Sequence, residues 1–234
     1  MENEINIICL YWVGNFRRRD YVVNDILRLR QSVDKHITRP YKFYCLTNDL
    51  TSEIPAIRIP LKHNWPGWWA KIELHRPDLP KGRTLYLDLD SHVIDDLDPI
   101  LNFPGNLVMF YTRASKQQQM NKKNDTIFYR YQAATMLFDP GAMKEIYQKF
   151  KKNPSFYMSK FRSDQDIMGA WIPNQPVFPE SWMKKLNQCR DMKTPPKGVI
   201  IVTGRPGDGS FRRLHEYPWL DKVAREQEGV RECM

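Results

Sequence analysis

The sequence predicts an α/β fold, a mixed and mostly parallel sheet flanked by helices. Three observations predict it. The chain opens as strand, helix, strand with a short connection, which is how a parallel sheet begins. A later apolar strand, Thr84-Leu85-Tyr86-Leu87, runs straight into Asp88-Leu89-Asp90, as a central strand does where its carboxyl end meets a ligand cleft. At 234 residues and 41% hydrophobic content, the chain can bury a full core as one domain.

Each element follows from local pattern. Residues 5–10 read as a first strand, followed by a loop over 11–19 with Gly14 and three consecutive arginines. Val22, Ile26, Leu29 and Val33 then recur at helical spacing, while Asn24, Arg28 and Gln31 face away. A second strand over 41–46 ends at Thr47-Asn48-Asp49, and 56–59 form a third. Residues 70–76 are helical and stop before Pro77. Strands are predicted over 107–112 and 131–138, and an amphipathic helix over 141–152. Another helix starts at Ser163, where Ser163 and Asp166 have the spacing of a capping box. Beyond Pro173 the chain is irregular apart from a strand over 199–202.

A net charge of +9 and a pI near 9.3 imply attraction to an anionic partner, whether nucleotide, nucleic acid or lipid surface. Cys9, Cys45, Cys189 and Cys233 lie far apart, with no Cys-x-x-Cys and no zinc spacing, as in a reducing cytoplasm. The apolar run over 5–13 is too short to span a bilayer. The expectation is therefore a cytoplasmic protein with neither signal peptide nor transmembrane helix.

The chemistry starts at Asp88 and Asp90. If the strand stays extended, side chains at i and i+2 point to one side, so both carboxylates converge on one hard cation, a site suited to a diphosphate. The same letters would also serve a turn into solvent, where Asp caps well. A second acidic segment, Asp164-Gln165-Asp166, opens a helix, and a plain helix start would need no other explanation.

With these residues in place, the chain resembles the nucleotide-sugar glycosyltransferases of the GT-A type, whose sheet is Rossmann-like. The likeness is to the glycogenin-like and lipopolysaccharide-transferase group and its small bacterial and phage members. It rests on the order of residues 7–11, Cys45-Leu46-Thr47-Asn48-Asp49, Gly67-Trp68-Trp69-Ala70-Lys71-Ile72-Glu73-Leu74, the Asp88/Asp90 strand, Met136-Leu137-Phe138-Asp139-Pro140 and Asp164-Gln165-Asp166. Val177-Phe178-Pro179 and Gly204-Arg205-Pro206 add to it.

The resemblance implies a single domain over 1–234, with a nucleotide-sugar half at about 1–112 and an acceptor half at about 113–234. It implies a nucleoside-diphosphate sugar as donor and Mn2+ or Mg2+ at Asp88 and Asp90. Tyr11, Thr47 and Asp49 would hold the nucleoside, Lys71 the phosphates or sugar, and Asp164, Gln165 and Asp166 the face of the sugar opposite the departing diphosphate. One departure stands out. Where members of the group place a metal-binding His near the carboxyl end, this chain has Thr203. His215, His92 or water would have to fill that position.

The acceptor is read from charge. Between Arg113 and Arg162 there are eleven Lys or Arg against three acids, interleaved with Phe128, Tyr129, Tyr131, Phe156, Tyr157 and Phe161. Basic residues among stacking aromatics suit nucleic acid. The expected acceptor is therefore a hydroxymethylated base in DNA, as in phage-type DNA modification, extruded from the duplex to react. A lipopolysaccharide or other glycan is the alternative acceptor. A non-catalytic GT-A relative that binds nucleic acid is the alternative of a different class. A nucleotidyltransferase is disfavoured because the chain has no Gly-rich Walker loop.

Overall fold

Parallel pairing on both sides of the first strand organises the molecule. The computed structural model describes residues 5–16, 21–111, 131–190, 192–204, 217 and 219–220. In chain order, β1 (Ile5–Tyr11), α1 (Val23–His36), β2 (Tyr41–Thr47) and β3 (Ile57–Pro60) precede a 3-10 helix (Gly67–His75) and β4 (Arg83–Leu87). Then come β5 (Ser91–Val93), α2 (Asp98–Leu101), β6 (Leu107–Tyr111) and β7 (Tyr131–Phe138). The helices α3 (Lys144–Lys152), α4 (Pro154–Lys160) and α5 (Asp164–Trp171) follow, then short strands β8 (Met183–Lys185) and β9 (Ile201–Thr203).

The main sheet has the order β3-β2-β1-β4-β7-β6. β3, β2, β1 and β4 are mutually parallel, and β7 runs against both β4 and β6. A smaller sheet, β5-β9-β8, closes over the carboxyl end of β4. This is the mixed, mostly parallel architecture expected. Boundaries move by a few residues, and the helix expected over 70–76 is a 3-10 helix that begins earlier, at Gly67. There φ is +58° and an added Cβ would lie 2.0 Å from the Phe16 ring, so only glycine fits. The short helices α2 and α4 each carry proline in the first turn, which fixes φ for a helix start.

Strand alternation sorts side chains onto two layers. Ile5, Ile7, Cys9 and Tyr11 of β1, with Leu85 and Leu87 of β4, pack against Ile26, Leu29 and Val33 of α1. Ile8, Leu10 and Tyr86 face the opposite layer, with Trp69, Ala70 and Ile72 of the 3-10 helix and Phe150 of α3. That parity decides which residues can reach the site. Among the described residues no helix is long and apolar enough to cross a membrane.

Among the described residues two histidines are buried. His75 is 4% exposed and His92 is fully enclosed. Burial pushes each pKa down to about 3, against a small opposing pull of the Leu74 carbonyl on His75, and with help from Arg28, His36 and Lys35 at His92. The unfolded chain takes up these protons near the ordinary value of 6.5, while the folded chain resists them, so stability is full above that pH and declines as pH falls. The decline should be about 2 kcal/mol per imidazole by about pH 5. Urea unfolding at about pH 7.5 and about pH 5 checks this, and His75→Phe should remove about half of the drop.

Candidate active site

The site forms where β4 ends. Tyr86 and Asp88 share a parity, so both project toward the 3-10 helix, and there they meet Lys71. Its ammonium contacts both oxygens of Asp88, at 2.8 and 2.9 Å, and also donates to the Ala133 carbonyl at 3.3 Å. Asp164, at the start of α5, lies 4.0 Å away. The Tyr86 hydroxyl donates to Asp88. Lys71 and Asp164 are almost wholly out of water, and Asp90 is 6% exposed.

The backbone that carries Asp88 and Asp90 differs from the extended strand the sequence implied. The strand stops at Leu87, and the Ser91 N–H donates to the Asp88 carbonyl at 2.9 Å, closing a turn. The two carboxylates therefore sit on a turn rather than on one face of an extended strand. Three anchors hold that turn. The Asp88 N–H donates to the Ala134 carbonyl at 2.8 Å, Arg28 of α1 donates to the Leu89 carbonyl at 3.1 Å, and the Gly204 N–H donates to the Asp90 carbonyl at 2.6 Å.

Charge in this cluster is coupled. Burial alone would push the Lys71 pKa down, but Asp88, Asp164 and Asp90 outweigh it and hold the ammonium above its ordinary value. Burial drives Asp164 up to about 6 against the pull of Lys71, with Asp88 adding to the rise. One cation thus faces three carboxylates, leaving an excess of negative charge in a dry place. Carboxylates are the donor type that a hard divalent cation takes, and two of them stand on this turn. Among the described residues no third His, Cys, Asp or Glu completes a cage.

The other residues singled out from the sequence are placed differently. Tyr11 has the wrong parity: its ring is buried on the α1 side, and only its hydroxyl end feels Asp49. Thr47 is fully buried, and its hydroxyl accepts from the Asp49 N–H at 2.9 Å. One oxygen of Asp49 accepts from the Thr51 N–H and hydroxyl and from the Ser52 N–H, closing a turn and holding its carboxyl well below the usual range. Asp166 faces its own helix start, accepting from the Arg162 N–H at 3.0 Å, while the Ser163 side chain makes no cap bond. Gln165 remains partly exposed beside Asp164.

The one described histidine candidate, His92, faces away from the pair. His92 is on β5, facing Arg28, Lys35 and His36, and His215 lies outside the described residues. Thr203 is 1% exposed on β9, opposite Ser91. Much of the basic segment, residues 112–130, is also outside the described residues. In the rest, Tyr131 and Phe161 are buried, and Tyr157 packs on Phe150, Phe161 and Trp171. Lys149 lies 4.1 Å over the Trp171 ring, Lys151 over Tyr147 and Lys160 over Phe156. Of the aromatics named in this segment, only Phe156 is described and exposed.

One wall of the site comes from residues to which the sequence assigned no role. Trp12, Phe16 and Trp68 line a pocket whose floor is Lys71, Tyr86 and Asp88. Phe16 meets Trp68 edge to face at 4.7 Å. Trp12 Nε1 donates to Asn64 at 2.9 Å, and Asn48 both accepts from and donates to the backbone of Val13 at 2.7 Å. Behind this loop, fully buried Glu73 accepts the N–H groups of Lys62, His63 and Asn64 and pairs with Arg76 at 2.8 Å. Parity was the available signal: Trp12 lies two residues past Leu10, on the layer of Tyr86 and Asp88.

No protein-family model matches the chain, and no curated protein matches its sequence. Solved structures do. The galactosyltransferase LgtC, in complex with donor and acceptor sugar analogues, superimposes with a TM-score of 0.63 at 13% identity, covering 96% of this chain and 95% of LgtC. An active-site mutant of LgtC matches with a TM-score of 0.61 at 12% identity over the same shares. The glycosyltransferase GlyE of Streptococcus pneumoniae matches with a TM-score of 0.58 at 13% identity, covering 96% of this chain but 63% of GlyE. Such identities speak to architecture, and the architecture agrees with the motifs: this chain has the GT-A glycosyltransferase fold.

Proposed function

We propose that the protein is a glycosyltransferase that moves a sugar from a nucleoside-diphosphate sugar to an acceptor hydroxyl. The observation that carries this reading is the gathering of Asp88, Asp90 and Asp164 around the Lys71 ammonium beside an aromatic pocket. The donor half is about 1–112 and the acceptor half about 113–234. Asp88 and Asp90 would hold manganese or magnesium, which supplies positive charge against the diphosphate as the sugar leaves. Lys71 keeps its proton and balances the carboxylates before a substrate arrives, and it then faces the phosphates. Asp164, 4.0 Å from the Lys71 ammonium, and Gln165 next to it in sequence would steady positive charge at the anomeric carbon with a carboxylate and an amide.

Trp12 takes the stacking role first expected of Tyr11. Trp12→Ala should raise the KM for the donor about tenfold, the worth of one base stacked on an aromatic ring, and leave kcat within about twofold. Steady-state kinetics with the donor varied checks it.

For the acceptor, a saccharide hydroxyl is the better supported reading. The chain matches a galactosyltransferase solved with an acceptor sugar analogue over nearly the full length of both, and the described aromatics of the basic segment are mostly engaged in packing. The positive charge keeps a hydroxymethylated DNA base as the second reading. The test is release of nucleoside diphosphate from a panel of sugar nucleotides with manganese or magnesium, alone, with oligosaccharides and with hydroxymethylated DNA. Metal-dependent release establishes the enzyme, and the additive that stimulates it names the acceptor class. No release from any donor, from protein shown to be folded, would leave a binding protein of this fold.

A further inference from the structure

A cavity of about 370 Å3 lies at the amino ends of β1 and β4, the opposite end of the sheet from Asp88. Its walls are apolar, among them Ile8, Tyr44, Leu74 and Phe138, and exposed Lys81, Ala142 and Lys144 stand at its mouth. Four buried polar side chains line its floor: Arg76, held by Glu73 at 2.8 Å and the Pro60 carbonyl at 2.9 Å, Thr84, whose hydroxyl donates to the Gly82 carbonyl at 3.2 Å, and Asn6 and His75. Asn6 is 1% exposed: its amide nitrogen donates to the Lys81 carbonyl at 3.0 Å, while Oδ1 has no partner among the described residues. His75 is 4% exposed, touches Phe138 ring edge to face, and has no well-formed hydrogen bond at either ring nitrogen.

Neither group is placed there by the needs of the core. Buried acceptors without partners cost about 1–3 kcal/mol each, and an apolar residue at either position would avoid that. Volume, apolar walls and a few convergent polar atoms are the features of a small-molecule pocket. We propose that this cavity is a second ligand site, distinct from the active site, for a neutral small molecule with an apolar ring body and one hydroxyl group. The hydroxyl hydrogen answers the unprotonated imidazole nitrogen of His75, and the ring fills the space between Leu74 and Phe138. Burial keeps His75 uncharged near neutrality, and Glu73 and Asp78 take up the Arg76 charge, so the site does not select an anion. The sugar donor is disfavoured there, because the one buried cation of the lining, Arg76, is already neutralised by Glu73 at 2.8 Å and Asp78 at 3.2 Å.

The experiment titrates the full-length protein with 2-naphthol and, in parallel, with 2-methylnaphthalene, following naphthol fluorescence and protein thermal shift. Saturable binding of naphthol at one site per chain is expected, about tenfold tighter than its hydroxyl-free isostere, the worth of one buried hydrogen bond. His75→Phe keeps the ring and removes both nitrogens. It should weaken naphthol about tenfold without lowering Tm at neutral pH. Ala142→Trp, at the exposed mouth, should abolish binding through obstruction and leave the floor untouched. The proposal is overturned by the absence of saturable naphthol binding, by equal affinity for the isostere, or by binding that both variants leave unchanged.

Discussion

Asp88→Asn and Asp90→Asn are each expected to lower metal-dependent release of nucleoside diphosphate by about a hundred- to a thousandfold, the scale for losing a charged group that acts on a departing anion. The backbone bonds of the turn at Ala134, Leu89 and Gly204 do not involve either carboxylate, so circular dichroism and unfolding should show an intact fold. The two variants should differ in one respect. Asp88→Asn removes the partner that holds Lys71 at 2.8 Å and leaves the ammonium to Asp164, whereas Asp90→Asn leaves that ion pair in place. Excess manganese should therefore recover part of the activity of Asp90→Asn and little of Asp88→Asn. Full activity in either variant would remove the assignment of these carboxylates to a metal.

Glu73→Ala should carry the largest effect on stability, about 3–5 kcal/mol, because it strands a buried guanidinium. Glu73 is fully buried, and its two oxygens collect the N–H groups of Lys62, His63 and Asn64 together with Arg76. Arg76 is itself 5% exposed, and would keep the Pro60 carbonyl and Asp78 as its remaining partners. The loss is not confined to stability. Asn64 sits in the loop that Glu73 clamps, at φ +51°, and accepts from Trp12 at the mouth of the pocket. Donor affinity should fall with Glu73→Ala as it does with Trp12→Ala. Glu73→Gln keeps an acceptor oxygen for the loop and should lose less. Urea unfolding of the two variants decides the matter: a change under about 1 kcal/mol in Glu73→Ala would show that the ion pair does not hold the loop.

Much of the architecture was legible in the chain. Apolar runs at 5–10, 41–46, 84–87 and 131–138 lie within the strands β1, β2, β4 and β7, since strands buried on both faces must be continuously apolar. The spacing of Ile26, Leu29 and Val33 put one side of α1 in the core for the same reason that it made the helix recognisable. The short strands β5 and β8 were not legible: three residues carry too little periodicity, and for β5 the partner β9 comes from far along the chain. Helix α4, seven residues behind a proline with no buried residue, offered no apolar stripe to read.

The site divides along the same line. From sequence alone come the acidic pair, the order of motifs, the positive charge and the choice of Asp164-Gln165-Asp166 as a second acidic segment. Residue types in order carry chemistry, and order survives translation into any fold. Tertiary structure decided which of those residues face one another. Alternation past the end of β1 buried Tyr11 on the α1 side and set Trp12 on the other layer, the chain after Leu87 placed Asp88 and Asp90 on a turn rather than on an extended strand, and a bond to the Arg162 N–H turned Asp166 to its own helix start while Asp164 stayed against Lys71. A side chain's direction depends on backbone dihedrals and on which hydrogen bonds its neighbours already satisfy, and those are settled only when distant segments pack.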